Sequence, residues 1–239
     1  MRLDKLVSQA MDISRSQARG LVLTGCVAVD GQVVRAMDAQ VDESASLSVD
    51  GKPISTQTEL HLMLNKPAGL LTAARDSRAQ TIMDILPPQL ARLKCMPVGR
   101  LDKDTEGLLL LTSDGELAHR LLSPKREVEK VYEARVEGRL AQEDVQAFEH
   151  GIVLSDFTAL PCTLTILSAN DEETLAQVRL HEGKNRQVRR MFGSRGHEIL
   201  TLKRLQFGPI TLDENLPVGE HRALSAQELR ALREAVGLG

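Results

Sequence analysis

Four consecutive leucines, Leu108 to Leu111, constrain this chain more than any other stretch. The run has strand length and no polar alternation, and Ser113-Asp114-Gly115 closes it with a turn signal. It therefore reads as an interior strand leading into a hairpin. Such a strand holds the segment before it, Gly99-Arg100-Leu101-Asp102-Lys103-Asp104-Thr105-Glu106-Gly107, as a rigid, charged loop. Asp102 and Asp104 share that loop with Arg100 and Lys103. A carboxylate fixed by a scaffold with cations nearby stays ionised at neutral pH, poised as a nucleophile or base. On residue types alone, a charge-rich surface turn is the competing reading.

The length, 239 residues, suits two modest domains or one medium domain plus a small one, with enough apolar content for a core. Met1-Arg2-Leu3-Asp4-Lys5 lacks the apolar centre of a signal peptide, and no apolar run is long enough to cross a bilayer, so a cytoplasmic protein is expected. Cys26, Cys95 and Cys162 are isolated and odd in number, which argues against a zinc site or a disulfide framework. The net charge of −3 hides an uneven distribution. From Arg179 to Arg204 there are eight cations (Arg179, Lys184, Arg186, Arg189, Arg190, Arg195, Lys203, Arg204) against two acids, a local excess of six. A patch of this kind can track phosphates; a solvated helix face is the plainer reading.

Periodicity places the elements. Leu3, Leu6, Val7 and Ala10 line one side of a helix, and Ser14-Arg15-Ser16-Gln17 is a capping-box pattern opening a second that ends at Gly25. Asp30-Gly31 and Asp50-Gly51 between apolar residues are hairpin signals. Residues 55–59 read as a linker, and His61 to Leu64 as the first strand of a second domain. Thr81 to Leu86 reads as a helical turn stopped by Pro87-Pro88. Helices are expected over 116–122, 140–150, 186–194 and after Ser225, and strands over 128–136, 162–167, 175–180 and 199–202. The fold class is α+β.

The stretch around Asp102 resembles the catalytic motif of the pseudouridine synthases, in particular the RsuA-type branch that modifies ribosomal RNA and pairs G-R-L-D with a G-L-L-L-L-T strand. Asn65-Lys66-Pro67 with Gly69, Glu129-Lys130-Val131-Tyr132, and Glu182 to Phe192 recur in that family in this order, so the resemblance spans nearly the whole chain. Residues 1–58 resemble the alpha-L fold of S4-like RNA-binding domains, with Arg2, Lys5, Arg15 and Arg19 as the implied RNA contacts. That segment nonetheless carries six cations and seven acids. Residues 59–239 would then form the catalytic domain, with a mixed, mainly antiparallel sheet flanked by helices.

The resemblance implies isomerisation of uridine to pseudouridine in ribosomal RNA or a pre-ribosomal particle, without cofactor or metal, by a protein expected to be monomeric. It implies Asp102 as the catalytic carboxylate, Arg189 as the cation paired with it (Arg186 competing for that role), and Tyr132 as the ring beside the extruded uracil. Leu202 is implied to pack beside the base, Lys66 to support the site or contact phosphate, and Arg100, Lys184, Arg190, Lys203 and Arg204 to bind substrate. The compact length, the first five residues and Ser123-Pro124-Lys125 look more like the type acting on 16S rRNA than on 23S rRNA. A non-catalytic RNA-binding assembly factor would need only the basic surfaces and the N-terminal module. A metal-dependent phosphohydrolase on Asp102 and Asp104 would need ligand spacing that the sequence does not offer.

Overall fold

The computed structural model describes residues 1–11, 13–42, 45–54, 59–88, 90 and 93–239. The chain divides into two compact units, Met1–Glu59 and Leu60–Gly239. Of the expected linker, residues 55–58 lie outside the described residues.

In the first unit, α1 (Leu3–Met11) and α2 (Arg15–Thr24) precede four short strands, β1 (Val27–Val29), β2 (Gln32–Val33), β3 (Leu47–Val49) and β4 (Lys52–Ile54). The strands form an antiparallel sheet in the order β2-β1-β3-β4. Leu3, Leu6 and Val7 meet Ala18, Val22, Val27, Leu47 and Val49 in one core, the apolar face that the helical spacing predicts. The capping box forms as read: the Gln17 N–H donates to Ser14 Oγ at 3.2 Å, and the Ser14 N–H donates to Gln17 Oε1 at 2.9 Å. Both Asp-Gly pairs have positive φ at each residue, 49° and 80° at Asp30-Gly31 and 49° and 74° at Asp50-Gly51. That twist matches the flanking strands of a two-residue hairpin.

The second unit is built on a nine-stranded sheet. Its strands are β5 (His61–Lys66), β6 (Met96–Pro97), β7 (Thr105–Thr112), β8 (Lys130–Glu137), β9 (Thr163–Ala169), β10 (Glu173–Leu180), β11 (Ile199–Phe207), β12 (Ile210–Thr211) and β13 (His221–Ala223). The main path runs β13-β5-β7-β11-β8-β10-β9, with β6 against β7 and β12 against β11. All the described pairings are antiparallel except β7 with β11. Helices α3 (Gly115–Leu122), α4 (Gln142–His150), α5 (Gln187–Ser194) and α6 (Ala226–Ala235) flank it. The expected turn at 81–86 is a single 3-10 turn, Ile82–Asp84.

The leucine run is apolar throughout because β7 is covered on both faces. Leu108 and Leu110 join Leu117, Leu121, Phe207 and Leu232 beneath α3 and α6, while Leu109 and Leu111 join Leu62, Leu64, Ile82 and Leu101 on the other side. A third cluster gathers Phe148 of α4, Phe192 of α5 and the inner faces of β8, β10 and β11. Strand β11 runs five residues past the expected Leu202 end, which buries Arg204 and Phe207.

At Gly107 the backbone of β7 leaves no room for a side chain against β11. Its φ is +95°, and a Cβ there would lie 2.4 Å from the Arg204 carbonyl oxygen and 2.9 Å from the Arg204 nitrogen. Both obstacles are backbone, so neither can swing aside. Gly107→Ala is expected to destabilise the second unit by about 1–3 kcal/mol, read as a lower denaturant midpoint at unchanged slope.

Candidate active site

The loop entering β7 is fastened by its backbone. The Leu101 carbonyl accepts from Thr72 Oγ1 at 2.8 Å, and the Leu101 N–H donates back to that hydroxyl at 3.2 Å. The Asp102 carbonyl accepts from the Thr105 N–H at 3.1 Å, and the Lys103 carbonyl from the Gly69 N–H at 2.8 Å. The Asp104 carbonyl accepts from Arg189 Nη2 at 3.1 Å. Lys66 Nζ donates to the carbonyls of Pro67, Lys103 and Thr105 at 2.8, 3.2 and 3.0 Å. Five consecutive carbonyls, 101 to 105, are thereby held. Charge-assisted hydrogen bonds are the stronger kind, so Lys66 and Arg189 contribute most of that rigidity.

The Asp102 carboxylate, half-buried at the tip of this fastened backbone, makes no hydrogen bond or ion pair among the described residues. From Thr105 on, the sheet register brings in the other side chains. Leu202 pairs with Thr105 on one side and Ala134 on the other, and Arg204 lies between Gly107 and Tyr132. Tyr132 therefore sits two strands from Gly107, roughly 10 Å away. Its ring packs against both the Leu101–Leu109 cluster and the Ala134–Leu202 cluster, and its hydroxyl has no partner among the described residues. The free carboxylate thus leads into β7, while the aromatic ring and the apolar wall stand on the strands beside the start of β7. Such a set can hold a planar base and present an anion to the sugar attached to it.

Several expected roles change. The pairing of Arg189 with Asp102 is absent: Arg189 donates instead to the carbonyls of Asp104 and Ile199, the latter at 3.3 Å, and its Nε is buried without a described partner. Arg186, exposed and in left-handed conformation before α5, lies 3.8 Å from Asp104 Oδ2, so neither arginine reaches Asp102. Lys66 cannot contact phosphate, being fully buried with its ammonium on three carbonyls. Burial pulls its pKa down to about 8, against the pull of Asp104, Glu106 and Asp102 toward the charged form. Arg204 is likewise no phosphate contact: it is buried, with Nε on the Leu108 carbonyl at 2.8 Å and its guanidinium over Phe207.

Of the remaining cations, Arg179 is paired with Glu129 and Arg190 with Asp156. Lys203 lies across from Glu106 and Glu133 on the neighbouring strands. Arg100 and Lys184 are exposed. The local excess of six in sequence is thus partly neutralised in space. Thr72 and the Gly69 N–H are the supports that residue reading missed; nothing in Leu70-Leu71-Thr72 marks a hydroxyl that will reach a chain segment 29 positions on.

In the first unit, Arg2, Arg15 and Arg19 all converge on Asp4, whose carboxylate is fully buried, with contacts of 3.1, 3.0 and 3.0 Å. Burial alone would raise the pKa of Asp4; the hydrogen bonds from Arg19, Arg15 and Arg2 outweigh it and hold the carboxyl well below the usual range. The three guanidinium groups stay roughly half exposed, so they form a fixed cluster rather than independent surface charges. Lys5 is exposed beside them.

Comparison with known proteins agrees with both units. The RNA pseudouridylate synthase family matches residues 60–194, and the S4 domain family matches residues 1–44. An uncharacterized RNA pseudouridine synthase of Bacillus subtilis is 40% identical over 98% of this chain and 99% of its own. The ribosomal large subunit pseudouridine synthase B of the same organism is 36% identical over 97% of this chain and 95% of its own. A solved pseudouridylate synthase superposes with a TM-score of 0.67 at 31% identity, covering 97% of this chain and 99% of that one. The family match thus spans the fastened loop, Tyr132 and α5 together, and the chain belongs to the RNA pseudouridine synthases that carry an S4 domain at the N-terminus.

Proposed function

We propose that the chain converts uridine to pseudouridine in ribosomal RNA with Asp102 as its catalytic carboxylate. The observation that carries this is the contrast at residues 101–105: every carbonyl is held, while the Asp102 side chain is left unengaged. Preorganised backbone with a free reactive group is what a positioned catalyst requires. The bond from ribose C1′ to N1 breaks, the base turns, C1′ bonds to C5, and the proton lost from C5 is balanced by one gained at N1. Asp102 serves as nucleophile at C1′ or base at C2′. Tyr132 stacks on the detached uracil, and Leu202 limits its movement from the side.

The large-subunit rRNA is the favoured substrate, in place of the 16S rRNA that the sequence suggested. A relative named for the large subunit, similar over nearly the full length, supports it. Mapping pseudouridine in both rRNAs from cells with and without the gene tests this. A large-subunit site that disappears with the gene is expected; loss of a 16S site alone would return the assignment to the small subunit, and loss of neither would remove rRNA as substrate. The first unit adds RNA contacts through the cluster around Asp4.

Arg189 has a positioning role in this reading. Arg189→Ala should lower the single-turnover rate at saturating enzyme by roughly a hundredfold, because the Asp104 carbonyl is released and the loop shifts. Arg186→Ala should alter mainly the salt dependence of RNA affinity, by about one unit or less in log–log slope. Rate and salt slope measured for both variants decide the point; the opposite pattern would assign the support to Arg186.

A further inference from the structure

The chain has four phenylalanines, one tyrosine and no tryptophan. Phe148, Phe192 and Phe207 are buried in the core, and Tyr132 packs against the cluster that holds Leu101 and Leu109. Phe157 is different. It lies on a tight hairpin in which Val153 pairs with Thr158 and the Leu154 N–H donates to the Phe157 carbonyl at 2.9 Å. Part of its ring packs on the core beneath α5, and part is open. Two cations stand over it: Arg190 at 5.1 Å and Lys184 at 5.9 Å from the ring centroid. Arg190 is anchored to Asp156 of the same hairpin. Lys184 is exposed and makes no ion pair among the described residues.

The same segment also reaches the fastened loop. Arg186, two residues beyond Lys184, lies 3.8 Å from Asp104 Oδ2, and Arg189 holds the Asp104 carbonyl. One stretch, 184–190, therefore meets Phe157 through Lys184 and Arg190, and meets Asp104, the near neighbour of Asp102, through Arg186 and Arg189.

We propose that Phe157, framed by Lys184 and Arg190, is a stacking platform for an unpaired base of the substrate RNA, flanking the uridine at Asp102. When Lys184 leaves it, the exposed part of the ring offers π-surface that any base can stack upon without sequence readout. Lys184 is free to leave the ring and follow the phosphate of the stacked nucleotide, while Arg190 stays on Asp156 and keeps the hairpin in place. An acidic partner without bases would use the cations and leave the ring idle. The platform gives the enzyme a second hold on the strand, so that the target base turns while its neighbour does not. This inference rests on the RNA-modifying reading above and extends it to how the strand is held.

Because the chain lacks tryptophan, Phe157→Trp places a single fluorescent reporter on the platform. Titration of the full chain with a single-stranded decaribonucleotide should quench its emission, whereas inorganic polyphosphate should bind with little quenching. Phe157→Leu keeps the inner packing but removes the ring, and should weaken oligonucleotide binding, read by anisotropy, at least about fivefold; Phe157→Tyr should restore it. Oligonucleotide bound without quenching, equal quenching by polyphosphate, or wild-type affinity in Phe157→Leu would each overturn the platform. rRNA conversion by the wild-type chain is scored separately. Conversion without quenching removes the platform alone, and quenching without conversion removes the catalytic reading alone.

Discussion

Asp102→Asn is expected to lower the single-turnover rate at least roughly a thousandfold while changing stability and RNA affinity little. The substitution keeps the shape of the side chain and removes its charge. Because the Asp102 carboxylate engages no described neighbour, no ion pair is broken by the exchange. Asp104 is the control. Its carboxylate lies near Arg186 at the exposed edge of the loop, so Asp104→Asn should cost far less. Conversion of an rRNA fragment at saturating enzyme measures both; a fully active Asp102 variant, or equal losses in the two, would remove Asp102 as the catalytic group.

Lys66→Met should give the second largest effect, for a different reason. Methionine fills much of the same buried space but donates nothing, so the carbonyls of Pro67, Lys103 and Thr105 lose a common donor. The expected loss is roughly 2–5 kcal/mol in unfolding, since each buried group deprived of a partner costs about 1–3 kcal/mol. A loop displaced by about 1 Å should slow turnover on the order of a hundredfold.

Lys66 also predicts opposite trends with pH. Its folded pKa, about 8, lies below the ordinary 10.5. Between those values the unfolded chain holds the extra proton, so this group makes folding more favourable as pH rises through the window. Below pH 8 both states are protonated and the burial penalty is constant. Turnover should move the other way, because neutral Lys66 has one donor fewer for its three carbonyls. An alkaline fall in rate near pH 8, missing from the residual activity of Lys66→Met, is the expected signature; the same fall in both would assign it to another group.

The elements were legible wherever the pattern was local. The capping box at Ser14, the two Asp-Gly turns, the apolar face of α1 and the interior strand at Leu108 depend on residues within a turn or a strand of one another. The extension of β11 past Leu202 was not legible, since Lys203-Arg204 reads as polar. Arg204 is buried because the Leu108 carbonyl and the Phe207 ring, both brought by folding, receive its guanidinium. Strand β13 escaped for a similar reason: His221-Arg222-Ala223 has no apolar signature, and pairing to Met63 makes it a strand.

For the site, the sequence by itself determined the carboxylate, the rigid strand behind it, the lone tyrosine and the family to which they point. Tertiary structure alone decided which cations stay exposed and which serve the fold. Lysine and arginine look alike in a sequence whether they meet phosphate, carboxylate or carbonyl. Their long side chains take whichever acceptor the packed backbone presents, and only the assembled sheet sets the Lys103 and Thr105 carbonyls before Lys66, the Asp104 carbonyl before Arg189, and Asp4 before three arginines.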